Sequence, residues 1–102
     1  MVNLSDNLIN QIVKKILEEV KPQKIVVFGS QARKDNAGSS DIDIALFGAD
    51  ENMLFKVKEK LNEELDTLRD IDLVLYESVK NEKLKKRITE EGVVIYERSS
   101  AG

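Results

Sequence analysis

Histidine and cysteine are both missing from this chain. Their absence removes disulfides, thiol nucleophiles, zinc centres built on those side chains, and every mechanism that needs an imidazole base. Aspartate and glutamate are the groups left for acid–base work. A basic stripe is missing as well: 16 Lys and Arg stand against 19 Asp and Glu, and the net charge is -3. A protein that holds nucleic acid by bulk electrostatics carries the opposite balance, so a nucleic-acid duplex is not an expected ligand. No apolar run approaches the length of a membrane span. The opening MVNLSDNLIN lacks the basic start and apolar stretch of a secretory signal. The expectation is therefore no membrane and a cytoplasmic location. Proline occurs once, at Pro22, and marks a stop for any helix before it.

What is present suits one core. Hydrophobic residues make up 41% of 102 positions, near the common size for a single domain. No repeat, low-complexity segment or second domain stands out. One domain over residues 1–98 is expected, followed by a small polar tail, 99–102, that should be disordered.

Ser5 or Asp6 can cap a first helix. Leu8, Ile9, Ile12, Val13, Ile16, Leu17 and Val20 recur at helical spacing, and the helix should end near Val20. Lys24–Phe28 (KIVVF) reads as a buried strand ending at a Gly29-Ser30 turn. Gln31 to Asp35 can form a short helix, and residues 36–40 form a loop by composition. Asp41 to Phe47 is a second strand closed by Gly48. A second long helix is expected from Glu51 to about Leu68, and a third strand from Ile71 to Tyr76. Asn81 can cap a third helix to Glu91, with a Glu82–Lys86 pair across one turn and Gly92 ending it in a left-handed conformation. Val93 to Tyr96 is a last strand. The alternation implies an α/β (α+β) layer, a sheet with helices packed on it.

The chemistry concentrates in FGSQARKDNAGSSDIDI, Phe28 to Ile44. Side chains alternate along a strand, so Asp41 and Asp43 project from one face and Ile42 and Ile44 from the other. Two carboxylates held side by side repel each other unless a cation lies between them. Mg²⁺ takes oxygen ligands and is commonly held by one or two carboxylates plus substrate phosphates. The Gly29-Ser30 turn supplies a complementary element, because glycine lets backbone N–H groups approach a phosphate. A calcium loop starting at Asp41 fails, since its sixth and twelfth positions would be Leu46 and Asn52. The P-loop and dinucleotide fingerprints lack their required residues. Asp72 lies within the apolar run IDLVLY, where a carboxylate is costly unless it is paired or binds metal. Asp70 shares its parity but reads as a solvated flanking residue. Lys83, Lys85, Lys86 and Arg87 are interleaved with acids and read as a solvated helix face. Phe47, Phe55, Tyr76 and Tyr96 read as core or edge residues.

Gly-Ser, ten intervening residues and Asp-x-Asp, here Gly29, Ser30, Asp41 and Asp43, resemble the nucleotidyltransferases of the DNA polymerase β superfamily. The pattern is most similar to the minimal nucleotidyltransferases (MNT), with Phe28 before the Gly, Ser40 before the first Asp, and Arg33 three residues after Ser30. Ile71-Asp72-Leu73-Val74 resembles the strand that carries the third acid. Lys34 departs from the family, where many members have glycine.

The resemblance implies a nucleotidyltransferase fold with a mixed sheet of about four strands. It implies two Mg²⁺ ions held by Asp41, Asp43 and Asp72, and ATP or another NTP as substrate. Gly29, Ser30, Arg33 and Ser40 would contact the nucleotide, and Asp72 would accept the acceptor's proton. It also implies a partner: a helical HEPN toxin that the MNT protein neutralises as an antitoxin by adding AMP. A homodimer is a further expectation. Two other readings stay open: a module that binds nucleotide or toxin without chemistry, and a small-molecule transferase, for which no substrate domain is legible.

Overall fold

The computed structural model describes residues 5–28, 42–65 and 70–98. Helix α1 spans Asp6–Glu19, and the Leu8 N–H donates to Ser5 Oγ at 3.1 Å, so Ser5 is the cap. Ile12 and Ile16 recur one turn apart and are fully buried. The Val20 N–H closes the helix on the Ile16 carbonyl at 2.9 Å, ahead of the buried Pro22. Strand β1 is Lys24–Phe28 and β2 is Ile42–Phe47. Gly48 turns the chain out of β2 at φ 71, a left-handed conformation that favours glycine. The Glu77 carboxylate accepts the Gly48 N–H at 3.0 and 3.2 Å, pinning that turn.

A 3-10 turn over Glu51–Met53 leads into helix α2, Leu54–Glu64. The expected extension toward Leu68 does not occur. Leu65 leaves the helix with ψ 142, and its side chain joins the core at 6% exposure. Leu68 itself lies outside the described residues. Strand β3 is Ile71–Leu75, one residue shorter than expected, because Tyr76 opens a 3-10 turn. The Tyr76 ring there stacks on Phe47 with centroids 4.4 Å apart.

Helix α3, Glu82–Glu91, begins at Asn81, whose Oδ1 accepts the Lys83 and Leu84 N–H groups at 2.9 and 3.2 Å. Lys86 approaches Glu90, at 3.9 Å, where the sequence suggested Glu82. Gly92 does not end this helix in the left-handed region. Its φ is -72 and ψ 151, and its role is close approach: an added Cβ would collide with the Ile88 carbonyl and Val26 Cγ1. Strand β4 is Val93–Glu97.

The sheet order is β3-β2-β1-β4. β1 is antiparallel to both of its neighbours, and β2 and β3 are parallel. A parallel pair cannot be joined by a hairpin, so α2 makes the crossover. A register shift between Ile25 and Val26 marks a bulge in the β1–β4 pairing. Both Ile95 and Tyr96 there pack against the main core.

The main core lies on the face covered by α1 and α2. Ile25, Val27, Ile42, Ile44, Leu46, Ile71, Leu73 and Leu75 meet Ile12, Ile16, Val57 and Leu61. Each such side chain contributes about 1.5–3 kcal/mol relative to exposure. The opposite face is thinner. Val26, Phe28 and Ala45 pack there with Ile88 of α3, flanked by Phe47, Val74, Tyr76 and Leu84. Ion pairs at the rim tie α2 to α1: Lys15 to Glu64 at 2.8 Å, and Lys60 to Glu18 at 2.6 Å and Glu19 at 3.2 Å. The Glu18 carboxyl is held below its usual range chiefly by the hydrogen bond from Lys60, which is correspondingly raised.

Candidate active site

The acids gather where alternation and register coincide. In β2, Ile42 and Ile44 are fully buried, and Asp43 faces the other way, half-buried. In β3, Ile71 and Leu73 point into the core and Asp72 points out. The parallel register places Asp43 directly beside Asp72. Neighbouring strands lie about 4.8 Å apart, so these two carboxylates share one end of one sheet face. On the other side of Asp43, the antiparallel register places Phe28, the last residue of β1. The N–H of Ile42 donates to the Asp70 carbonyl at 2.9 Å, so pairing begins one residue before the acids. Asp70's side chain is exposed, as expected.

Asp72 is not sunk in an apolar run; its side chain keeps 52% of its surface. The run is apolar because its alternate residues, Ile71, Leu73 and Leu75, fill the core. Asp72 lies on the open face at the sheet's edge, so desolvation does not force a metal on it. Lys58 of α2 reaches it, and the Lys58 Nζ donates to Asp72 Oδ1 at 3.2 Å.

One helical turn on, Asn62 makes a more elaborate set of bonds. Its Oδ1 accepts the Ile71 N–H at 2.8 Å, and its Nδ2 donates to the Ile71 carbonyl at 3.1 Å and the Lys58 carbonyl at 3.0 Å. Neither Lys58 nor Asn62 was singled out in the sequence. Their four-residue spacing places them on one stripe of α2, but only the tertiary structure lays that stripe along β3.

Gly29, Ser30, Arg33, Ser40 and Asp41 lie outside the described residues, as does the expected short helix from Gln31 to Asp35. The flanking residues, Phe28 and Ile42, end and begin strands at the same end of the sheet as Asp43 and Asp72. Among the described residues no cluster of three or more acids forms a metal centre. The two that do come together are hard oxygen donors on one face, and this donor set fits a divalent cation of the Mg²⁺ type. Phe55, expected at the core or an edge, is 72% exposed on α2. Phe47 and Tyr76 are half-buried, and the Lys24 ammonium lies 4.5 Å from the Phe47 ring centroid. The basic residues of α3 are mostly exposed, with Lys85 directed at the Tyr76 ring, 5.9 Å from its centroid. No helix among the described residues is long and apolar enough to cross a membrane.

Comparison with known proteins supports the expected resemblance. A relative in Methanocaldococcus jannaschii, named protein adenylyltransferase, is 38% identical over 84 residues, covering 80% of this chain and 86% of its own. A crystal structure of a toxin–antitoxin pair with AMP-PNP superposes with a TM-score of 0.75 at 28% identity, over 89% of this chain and 74% of that one. The MNT antitoxin complex with a tri-AMPylated HEPN toxin of Shewanella oneidensis superposes with a TM-score of 0.72 at 28% identity, over 92% and 73%. These likenesses extend to the four-stranded mixed sheet. The sequence profile described as "Polymerase beta, Nucleotidyltransferase" matches residues 10–101. With that match spanning both strands that carry the paired acids, the chain belongs to the polymerase β nucleotidyltransferase family and is a nucleotidyltransferase.

Proposed function

We propose that this protein transfers a nucleoside monophosphate, AMP from ATP, to a hydroxyl on a HEPN-type helical partner, and so acts as its antitoxin. The observation that carries the reading is the register pairing of Asp43 with Asp72 on the open sheet face. The relatives support the choice of nucleotide and partner: one is solved with AMP-PNP, and another with an AMPylated HEPN toxin.

Asp43 and Asp72, with Asp41 from the neighbouring segment, would hold Mg²⁺. Bound there, the metal supplies positive charge for the phosphate oxygens and the attacking and leaving oxygens of an in-line displacement. The acceptor oxygen forms a bond to the α-phosphorus, and the bond to the departing pyrophosphate breaks. The hydroxyl proton passes to the Asp72 carboxylate. Gly29 and Ser30 would hold the β- and γ-phosphates, and Arg33 and Ser40 would make further contacts to the nucleotide. The unit of this reading is a single domain over residues 1–98, working in the cytoplasm as a homodimer or in a complex with HEPN subunits.

The test is labelled ATP with Mg²⁺ and a HEPN-type helical protein as the acceptor. Label on the partner, lost in Asp43→Asn, is the expected result. Inhibition of the partner without label would replace transfer by stoichiometric binding.

A further inference from the structure

We propose that Asn62 is a positioning residue for Asp72, and that Lys58 is a placeholder on the same carboxylate that a divalent cation must displace. The proposal rests on the metal-binding role of Asp72 given above.

Strand β3 is an edge strand, with β2 on one side only. In a parallel ladder, alternate residues address the same neighbour. Asp70 offers its carbonyl to Ile42 of β2, so the N–H and C=O of Ile71 point outward. The Asn62 amide takes both of them, at 2.8 and 3.1 Å. A side-chain amide carries a donor and an acceptor side by side, so it replaces the missing strand at that one residue. The third bond, from Nδ2 to the Lys58 carbonyl at 3.0 Å, anchors the amide to its own helix and leaves it one consistent orientation. The carbonyl that Asn62 holds belongs to the peptide whose nitrogen is Asp72's. Asn62 thus grips the backbone immediately before the acid, and the acid's own carboxylate is exposed, with Lys58 on one oxygen.

Lys58 acts on the carboxylate itself. Its ammonium lies 3.2 Å from Oδ1, with both side chains about half exposed. A cation arriving at Asp72 meets an existing positive charge at the oxygen it needs. The two α2 residues therefore have opposite consequences: Asn62 favours metal binding by fixing the ligand, and Lys58 opposes it by occupying the ligand.

The experiment measures Mn²⁺ binding to the full chain without nucleotide, by calorimetry or electron paramagnetic resonance. Amide exchange at Ile71 is followed in parallel. Asn62→Ala should weaken Mn²⁺ binding by about 10–100-fold, the usual cost of losing a group that orients a ligand, and speed exchange at Ile71. Lys58→Met should tighten Mn²⁺ binding by up to about fivefold, the range of an exposed ion pair, and leave Ile71 exchange unchanged. Lys58→Met removes no backbone bond, so it keeps the test decisive if Asn62→Ala does not fold. Asp72→Asn separates the two levels. If it leaves Mn²⁺ binding unchanged, the metal reading and this inference both fall. If it weakens binding while Asn62→Ala does not, or Lys58→Met fails to tighten it, this inference alone is overturned.

Discussion

The two faces of the sheet differ in what they ask of their residues. The face under α1 and α2 takes an unbroken set of aliphatic side chains, most with no exposure at all. The face under α3 has a small cluster around Val26, Phe28, Ala45 and Ile88, and then runs out toward Asp43 and Asp72. One strand serves both purposes. In β2, Ile42 and Ile44 build the fold and Asp43, between them, carries charge to the open side. Period-two alternation lets a rigid, well-packed layer present acids without burying them. The lesson is that packing and charge here are separated by parity within a strand, not by distance along the chain.

That separation can be broken experimentally. The largest effect should come from Asp43→Asn, which removes a carboxylate from the open face. Transfer to the partner should fall by on the order of a thousandfold or more, while thermal unfolding shifts little; a large loss of stability would mean that Asp43 belongs to the packed layer. Next is Ile44→Ala on the closed face. It should cost about 2–5 kcal/mol in denaturant unfolding, a large share of a typical total of about 5–15 kcal/mol. Its counterpart on the thinner face, Val74→Ala, should cost about 1 kcal/mol, and equal losses would erase the contrast. Gly92→Ala pushes α3 away from Val26, and about 1–3 kcal/mol is expected from this overpacking.

The smallest effect is electrostatic and lies at the α1–α2 rim. The Glu18 carboxyl is lowered by its bond from Lys60, so the unfolded chain binds its proton more readily than the folded one. The contribution is present above the carboxylate's ordinary pKa and fades as pH falls through the lowered one. Glu18→Gln should flatten the acid limb of the stability profile slightly, with no change near neutrality beyond the loss of one exposed pair.

Much of this could be read in the sequence because periodicity alone encodes it. The stripe Ile12, Ile16 and Val20, the run KIVVF and the Asn81 cap all appear where local pattern puts them. The pairing of Asp43 with Asp72 was legible through a motif resemblance; spacing alone does not encode the parallel register. Three features escaped for physical reasons. Leu65 leaves its helix because core packing outweighs a sequence that continues in helical period. Gly92 is needed for the proximity of Val26, a neighbour 66 positions away in the chain. Asn62 and Lys58 look like ordinary polar residues on an exposed helix face until β3 is laid beside them. The exposure of Asp72 is hidden for a related reason: an apolar window does not reveal which alternate positions meet solvent.

The parallel pairing of β2 with β3 also fixes a sequence of assembly. β1 and β2 are antiparallel neighbours that can associate directly, but Asp72 reaches Asp43 only after the α2 crossover has closed behind them. Closing that loop costs chain entropy before any long-range contact repays it. A nascent chain emerging from the ribosome thus has its β1–β2 pair and Asp43 well before it has Asp72. In the proposed reaction, the acid pair is complete only when synthesis has passed the third strand, late enough for most of the scaffold to be in place.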